Sequence, residues 1–323
     1  MARVIVPREC KFFEFNPANQ FPYACRSGDT LIFETTEAPD GQIRSEEDYN
    51  RPLDPRRANP TTGPVACTGS LPGDVLAVRI EKITVRGPGY IAASPRVGLL
   101  NEAVLQRTGK ILSLKGNSVL FEGRPIAVRP MIGVIGTTPR QPAKTNECGP
   151  FGGNMDNRKI TEGSTVYLPV FLEGAGLGIG DLHAGMGDGE VCGAGIEVAG
   201  TVETTVRLIR NASFGFPMVA TETEWMVCGE GVSLIEAVRV GCERVFELLT
   251  GVFAMERGDA YLFMSAFCHV EVCECAFSEG TVPVPGPGQE PARQDPIRQE
   301  PVRLPAAVRI VIPKETGLDK VFD

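Results

Sequence analysis

Three times along this chain a glycine-led turn runs straight into a segment of strand-forming residues. The copies are Ser27-Gly28-Asp29-Thr30-Leu31-Ile32-Phe33, Pro72-Gly73-Asp74-Val75-Leu76-Ala77-Val78 and Glu162-Gly163-Ser164-Thr165-Val166-Tyr167-Leu168. Glycine supplies the positive φ that a tight turn needs, and the β-branched and apolar residues behind it favour extended backbone. In the second copy Leu76, Val78 and Ile80 alternate with Ala77, Arg79 and Glu81, the period of a half-buried strand. Val202, Thr204, Val206 and Leu208 alternate with Glu203, Thr205 and Arg207 in the same way. The 37 glycines and 26 prolines make up 63 of 323 residues, a share that suits a turn-rich β protein better than a helical bundle.

Helix signals come late. Ser233-Leu-Ile-Glu236 has the form of a capping box, and Leu234, Ile235, Val238, Val245, Leu248 and Leu249 fit one face of a helix ending at Gly251. A second helix is expected from about Glu256 to Ala266, and the pair should lie against a sheet. Residues 282–305 are dense in Pro, Gly, Gln and charge, a composition that buries little apolar surface and reads as a loop. Ala307 to Ile312 then reads as a returning strand, which makes the Pro-rich stretch an insertion. Three stretches are therefore expected: a β-rich region 1–148, a Gly- and acid-rich β region 149–211, and an α+β region 212–323.

Charge and length exclude several classes. Thirty-two Lys+Arg against 40 Asp+Glu leave a net charge of −8 with no basic run, which argues against nucleic acid as a partner. Apolar runs fall short of the roughly 20 residues of a membrane helix, and residues 1–7 lack a signal-peptide core. The ten cysteines contain no C-x-x-C pair. Cys273-Glu-Cys275 could share one strand face, but a second thiol pair for zinc is missing. A reduced, cytoplasmic protein is expected.

Chemistry concentrates in residues 149–197. Gly152-Gly153-Asn154-Met155-Asp156, Gly180-Asp181-Leu182-His183, Gly187-Asp188-Gly189-Glu190 and Gly195-Ile196-Glu197 set several acids and one of only two histidines among glycines. Gly-Asp and Asp-Gly pairs are also ordinary solvated turns. Taken together, however, carboxylates and an imidazole are the donor set for Zn²⁺ or a comparable ion. Such an ion lowers the pKa of bound water to about 7 and polarises a carbonyl. A free carboxylate, Glu190 or Glu34, can then serve as general base. With histidine so scarce, a nitrogen ligand would be His183.

These motifs resemble the acetamidase/formamidase family. Asn59-Pro-Thr-Thr-Gly-Pro64, Gly69-Ser-Leu-Pro-Gly-Asp74, Pro130-Met-Ile-Gly-Val-Ile-Gly136, Gly152-Gly-Asn-Met-Asp156 and Gly180-Asp-Leu-His183-Ala…Gly187-Asp-Gly-Glu190 carry the likeness, in order, over about residues 1–270. The resemblance implies a mainly β fold, a β-sandwich with a barrel-like β region and an α+β part whose C-terminal helical pair packs on sheet. It also implies a homo-oligomer, dimer or higher. The implied activity is hydrolysis of a short aliphatic amide, of formamide or acetamide type, to ammonia and a carboxylate. A divalent metal, zinc by expectation, would be held by Asp156, His183 and Glu197. Asn154 with the Gly152–Gly153 backbone and Asp181 would orient the amide, and Glu190 and Glu34 would be the acid–base candidates. The chain departs from the family where some members carry His in place of Asn59. It departs again at Cys268-His-Val-Glu-Val-Cys-Glu-Cys275, where members often read Asp-Leu-x-Ile-Ser-Gln-Val-Val.

Other routes to amide hydrolysis have less behind them. Neither Gly-Gly-Ser-Ser-Gly nor Gly-x-Ser-x-Gly occurs, and no strict dinucleotide or Walker motif is present. Cys192 remains the candidate for a thiol nucleophile. A catalytically silent member that binds small amides or a partner protein is the alternative from another class.

Overall fold

The computed structural model describes residues 1–276 and 305–318, apart from Arg96, Asn101, Glu102, Leu105 and Ser213. The Pro-rich stretch 282–305 falls, but for Pro305, outside the described residues.

The chain is mostly β: among the described residues seventeen strands join in one strongly curled sheet, and two α-helices lie near the C-terminus. Its spine is a pair of long antiparallel strands, Val75–Ala93 and Glu197–Ile209. Their register runs from Val75 opposite Ile209 to Tyr90 opposite Glu197. All three glycine-led turns open strands, at Thr30–Thr35, Val75–Ala93 and Thr165–Pro169, and Gly28, Gly73 and Gly163 have φ of 95°, 95° and 85°. Strands from the stretches 1–148, 149–211 and 212–323 all enter this one sheet.

The sheet forks at the start of Glu197–Ile209. From Gly200 onward that strand pairs with Thr30–Thr35, whereas Val198 and Glu197 pair with Leu182 and His183 of the strand Leu177–His183. Leu177–His183 is flanked in turn by Met131–Gly136 and Thr61–Cys67. The diverging layers face each other across one apolar core, with Leu31, Phe33, Ile80, Val202 and Val206 from one side and Val65, Ile132, Ile135, Leu177 and Ile179 from the other. Each such fully buried side chain contributes about 1.5–3 kcal/mol of transfer free energy.

The second core lies under the helices. Helix Leu234–Gly251 packs on strands Glu224–Gly231 and Ala306–Pro313, the latter being the expected returning strand, and helix Arg257–Phe267 follows. Ser233 caps the first helix by accepting from the Glu236 N–H at 3.3 Å, while Glu236 Oε2 accepts from the Val232 N–H at 3.0 Å, one residue beyond the box's usual reach. Glu256 caps the second helix, accepting from Gly258 and Asp259. The buried stripe of the first helix is Ala237, Gly241, Val245, Leu248 and Leu249. Ile235, expected inside, is 78 % exposed. The stripe centres on small residues because the helix comes down almost onto the sheet: a Cβ on Gly229 would lie 2.4 Å from the Ala237 carbonyl oxygen.

Candidate active site

The fork in the sheet brings five separated segments to one point. His183 ends the strand Leu177–His183, and Asp181 lies two residues before it on the same strand. Glu197 faces His183 across the ladder. Asp156 follows the short strand Gly152–Asn154, and its N–H donates to the Gly133 carbonyl at 3.3 Å. Glu190 comes from the turn between these strands, held by N–H bonds from Gly189 to the Cys273 carbonyl and from Cys275 to the Gly189 carbonyl. Asn59 enters just ahead of the strand Thr61–Cys67.

The backbone is strained here. Asn59, Asp156, Asp181 and Glu190 adopt φ of 50°, 42°, 53° and 44°, four of the nine non-glycine residues with positive φ among those described. Such conformations cost about 1–3 kcal/mol each and persist where the surroundings fix them. Two glycines make the room. A Cβ at Gly133 would lie 2.6 Å from Asp156 Oδ1 and 2.8 Å from Asp181 Oδ2, and one at Gly195 would lie 2.4 Å from His183 Nδ1.

Hydrogen bonds orient one oxygen of each aspartate and leave the other bare. The Asn59 amide donates to Asp181 Oδ2 at 2.7 Å and to Asn154 Oδ1 at 3.1 Å, and the Asn154 amide donates to Asp156 Oδ2. Asp156 Oδ1, Asp181 Oδ1 and Glu197 Oε2 are buried with no aligned hydrogen-bond donor. All three face His183 Nε2, at 3.9, 3.5 and 3.2 Å respectively. Metal–ligand bonds of about 2.1 Å in a tetrahedron give ligand–ligand edges of roughly 3.4 Å. The donor atoms therefore stand at the spacing of ligands around an ion. Two triads bring their donor atoms within 4.8 Å of one another, Asp156–His183–Glu190 and Asp181–His183–Glu197, and they share the histidine.

Four buried carboxyls beside one imidazole repel one another. Burial first, then the charge of Asp181, pushes Asp156 up to about 7. Burial and Asp181 likewise push Glu197 up to about 8. Burial and the charge of Asp156 push Glu190 well above the usual carboxylate range. Burial lowers the His183 pKa, but Glu197 and Asp181 outweigh it and the net shift is strongly upward. A bound cation would relieve this crowding of acids, which is why the donor set fits a divalent metal.

The cluster forms the floor of a cleft of about 1120 Å³, lined also by Tyr49, Tyr90, Arg107 and Cys192. Of the residues singled out in the sequence, Asn154, Asp156, Asp181, His183, Glu190 and Glu197 come together here. Glu34 stands apart. Leu31, Phe33 and Thr35 turn into the core from one face of the strand, so Glu34 lies on the other, half-buried and off the cleft wall. Gly152 and Gly153 are also off the cleft. They are locked in the ladder opposite Gly136 and Ile135, where a Cβ on Gly152 would meet the Ile135 carbonyl oxygen at 2.4 Å. Cys192 lines the cleft, but burial raises its thiol and its Sγ donates weakly to the Ala92 and Ala194 carbonyls, the opposite of an activated thiolate. Asn59 and Gly133 belong to the site although no single-residue signal marks them; only their place in the quoted motifs does.

The sequence profile of the acetamidase/formamidase family matches residues 12–149 and 140–286, and the chain belongs to that family. It is 31 % identical to the acetamidase of Bacillus halodurans over 98 % of this chain and 99 % of that one, with a TM-score of 0.86. A crystallised protein of Thermoanaerobacter tengcongensis, described as a predicted acetamidase/formamidase, superposes with a TM-score of 0.88 at 30 % identity, over 100 % of this chain and 99 % of that one. A formamidase of Methylophilus methylotrophus is 41 % identical over 98 residues, a segment spanning 27 % of this chain and 24 % of the formamidase. The chain thus covers about a quarter of that curated relative's length and nearly all of the crystallised ones.

Proposed function

We propose that this protein is a metal-dependent hydrolase of a small amide, releasing ammonia and a carboxylate. The observation that carries the reading is the set of bare carboxylate oxygens converging on His183 Nε2 at the floor of an open cleft. Asp156, His183 and Glu197 would hold a divalent ion, zinc by its donor set, since Asp156 Oδ1 and Glu197 Oε2 both face His183 Nε2, with Asp181 Oδ1 facing the same atom. Such an ion supplies Lewis acidity toward a carbonyl oxygen and a water.

The chain's own groups do the rest. Asn59 and Asn154 fix the aspartate rotamers, so the donor atoms are in place before substrate arrives. Glu190, in the same cluster as Asp156 and His183 and lining the cleft, stands where it can take a proton from the attacking water and return it to the leaving nitrogen, which departs as ammonia. A cytoplasmic location belongs to the same reading, on an interior rich in free thiols such as Cys67, Cys228 and Cys273. So does homo-oligomerisation, for Ile235, Tyr261 and Leu262 stand exposed on the two helices. Cell fractionation and sedimentation velocity test those two points, and an export-fraction signal or a monomer refutes the one or the other.

Metal content by mass spectrometry, with ammonia release from formamide, acetamide, propionamide and butyramide, tests the activity. Turnover lost on chelation and regained with zinc supports the reading. Full turnover in chelated, metal-free protein removes the metal, and no ammonia from any amide leaves a silent binding protein. Among the described residues no helix is long and apolar enough to cross a membrane.

A further inference from the structure

A short amide of three to six heavy atoms fills little of a cleft of about 1120 Å³, a volume at the upper end of sites for drug-sized ligands. The cleft wall also carries four basic side chains. Arg51 pairs with Asp48 at 3.0 Å and Arg56 with Asp54 at 2.8 Å, while Lys144 is exposed to water. Arg107 differs from all three. Its guanidinium is half-buried in the cleft, and among the described residues it has no ion pair and no hydrogen-bond partner. A cation partly stripped of water with no ion pair is unfavourable unless something else supplies one.

The surroundings of Arg107 are built rather than loose. It directly precedes the strand Thr108–Leu112. That strand is clamped by the short helix Glu46–Asn50: Tyr49 lies flat on Gly109, its hydroxyl donates to the Lys110 carbonyl at 3.2 Å, and Glu46 accepts from the Ile111 N–H at 3.2 Å. Tyr49 lies within electrostatic reach of both Arg107 and Glu197, so the free cation and the acid floor share one chamber.

We infer that the physiological substrate is an amide carrying a carboxylate at its far end, which Arg107 receives while the amide carbonyl lies on the acid floor. This rests on the amidase reading above and names its substrate class. Guanidinium is suited to the task, since its planar fork matches a carboxylate with two parallel hydrogen bonds. Binding energy taken up at that remote end holds the reacting group in place.

The test compares succinamate, glutaramate and adipamate, amides with a terminal carboxylate on spacers of increasing length, with uncharged butyramide. On the full-length metal-loaded protein, kcat/KM for at least one of the anionic amides should exceed that for butyramide by about tenfold or more. Arg107→Gln should bring that ratio to about one, and Arg107→Lys should recover part of it. Ratios at or below one across the series, or a ratio unmoved by Arg107→Gln, overturn the inference. Calorimetric titration of the same four compounds reads the preference without turnover. Tighter binding of an anionic amide with no hydrolysis of any leaves Arg107's role standing and removes the amidase reading. Butyramide turnover with no anionic preference does the reverse. Circular dichroism checks that the glutamine variant folds; should it not, the lysine variant and the wild-type ratios still decide.

Discussion

A methyl group at position 133 would lie 2.6 Å from Asp156 Oδ1 and 2.8 Å from Asp181 Oδ2, well inside van der Waals contact. The Asp181 carbonyl oxygen, at 2.9 Å, is a third and unyielding contact, so Gly133→Ala should displace both carboxylates, abolish stoichiometric zinc binding and lower Tm while leaving the overall β content. Metal analysis with far-ultraviolet circular dichroism checks both halves of that statement. Asn59→Ala and Asn154→Ala remove the donors that orient these aspartates, and outer partners of this kind are worth about 10–100-fold in metal affinity or activity. The same residues set a pH signature for metal-stripped protein. Asp156 at about 7 and Glu197 at about 8 retain protons in the folded state that the unfolded chain releases near pH 4. The site's contribution to stability is therefore greatest at acid pH and declines as pH rises through that window. His183 acts in the same direction, since a raised histidine contributes stability below its unfolded value of about 6.5 that is lost as pH climbs through the folded one. The Tm of chelated protein should fall between about pH 5 and pH 9, and added zinc should restore it most at the alkaline end. A flat or rising profile contradicts this charge assignment.

Between elements, the strand Ala306–Pro313 acts on the site at one remove. Arg309, fully buried on it, bonds Glu271 on the neighbouring strand and reaches Asp188 at 2.9 Å in the turn that presents Glu190. Asn157, next to Asp156, accepts from the same guanidinium at 3.2 Å. Arg309→Ala removes these charge-assisted hydrogen bonds but leaves carboxylates that are about a third exposed, so it should lower unfolding free energy by about 1.5–3 kcal/mol in a urea titration. At this scale much was legible in the sequence. The glycine-led turns, the alternation in Val75–Ala93 and the cap at Ser233 are local signals, and local chemistry decides them. Glu34 and Ile235 were not legible, because periodicity tells that a strand or helix has two faces but not which neighbour each will meet. Asn59 was hidden for a different reason: its partners lie 95 and 122 residues further along the chain.

For the molecule as a whole, the two cores divide the labour. The apolar interior between the sheet layers carries Phe33, Leu76 and Leu168 at no exposure, and a second interior lies under the helices. Phe33→Ala should cost about 3–5 kcal/mol and reduce activity only in step with the folded fraction. A bound ion adds to that stability by mass action, about 2.7 kcal/mol at a hundred times its Kd, and the gain should scale with the logarithm of free zinc in calorimetry.

The fork in the sheet also has a bearing on how the chain is made. Asn59, Asn154, Asp156, Asp181, His183, Glu190 and Glu197 converge only after strands remote in sequence have found their registers. Loop closure over such separations is slow, and no fragment of the nascent chain short of about residue 197 holds the whole donor set. Zinc cannot template this protein as it does a small finger. Acquisition of the ion would come as the final event of maturation, and its uptake in a refolding experiment would serve as a clock for completed topology, lagging the return of β-sheet signal.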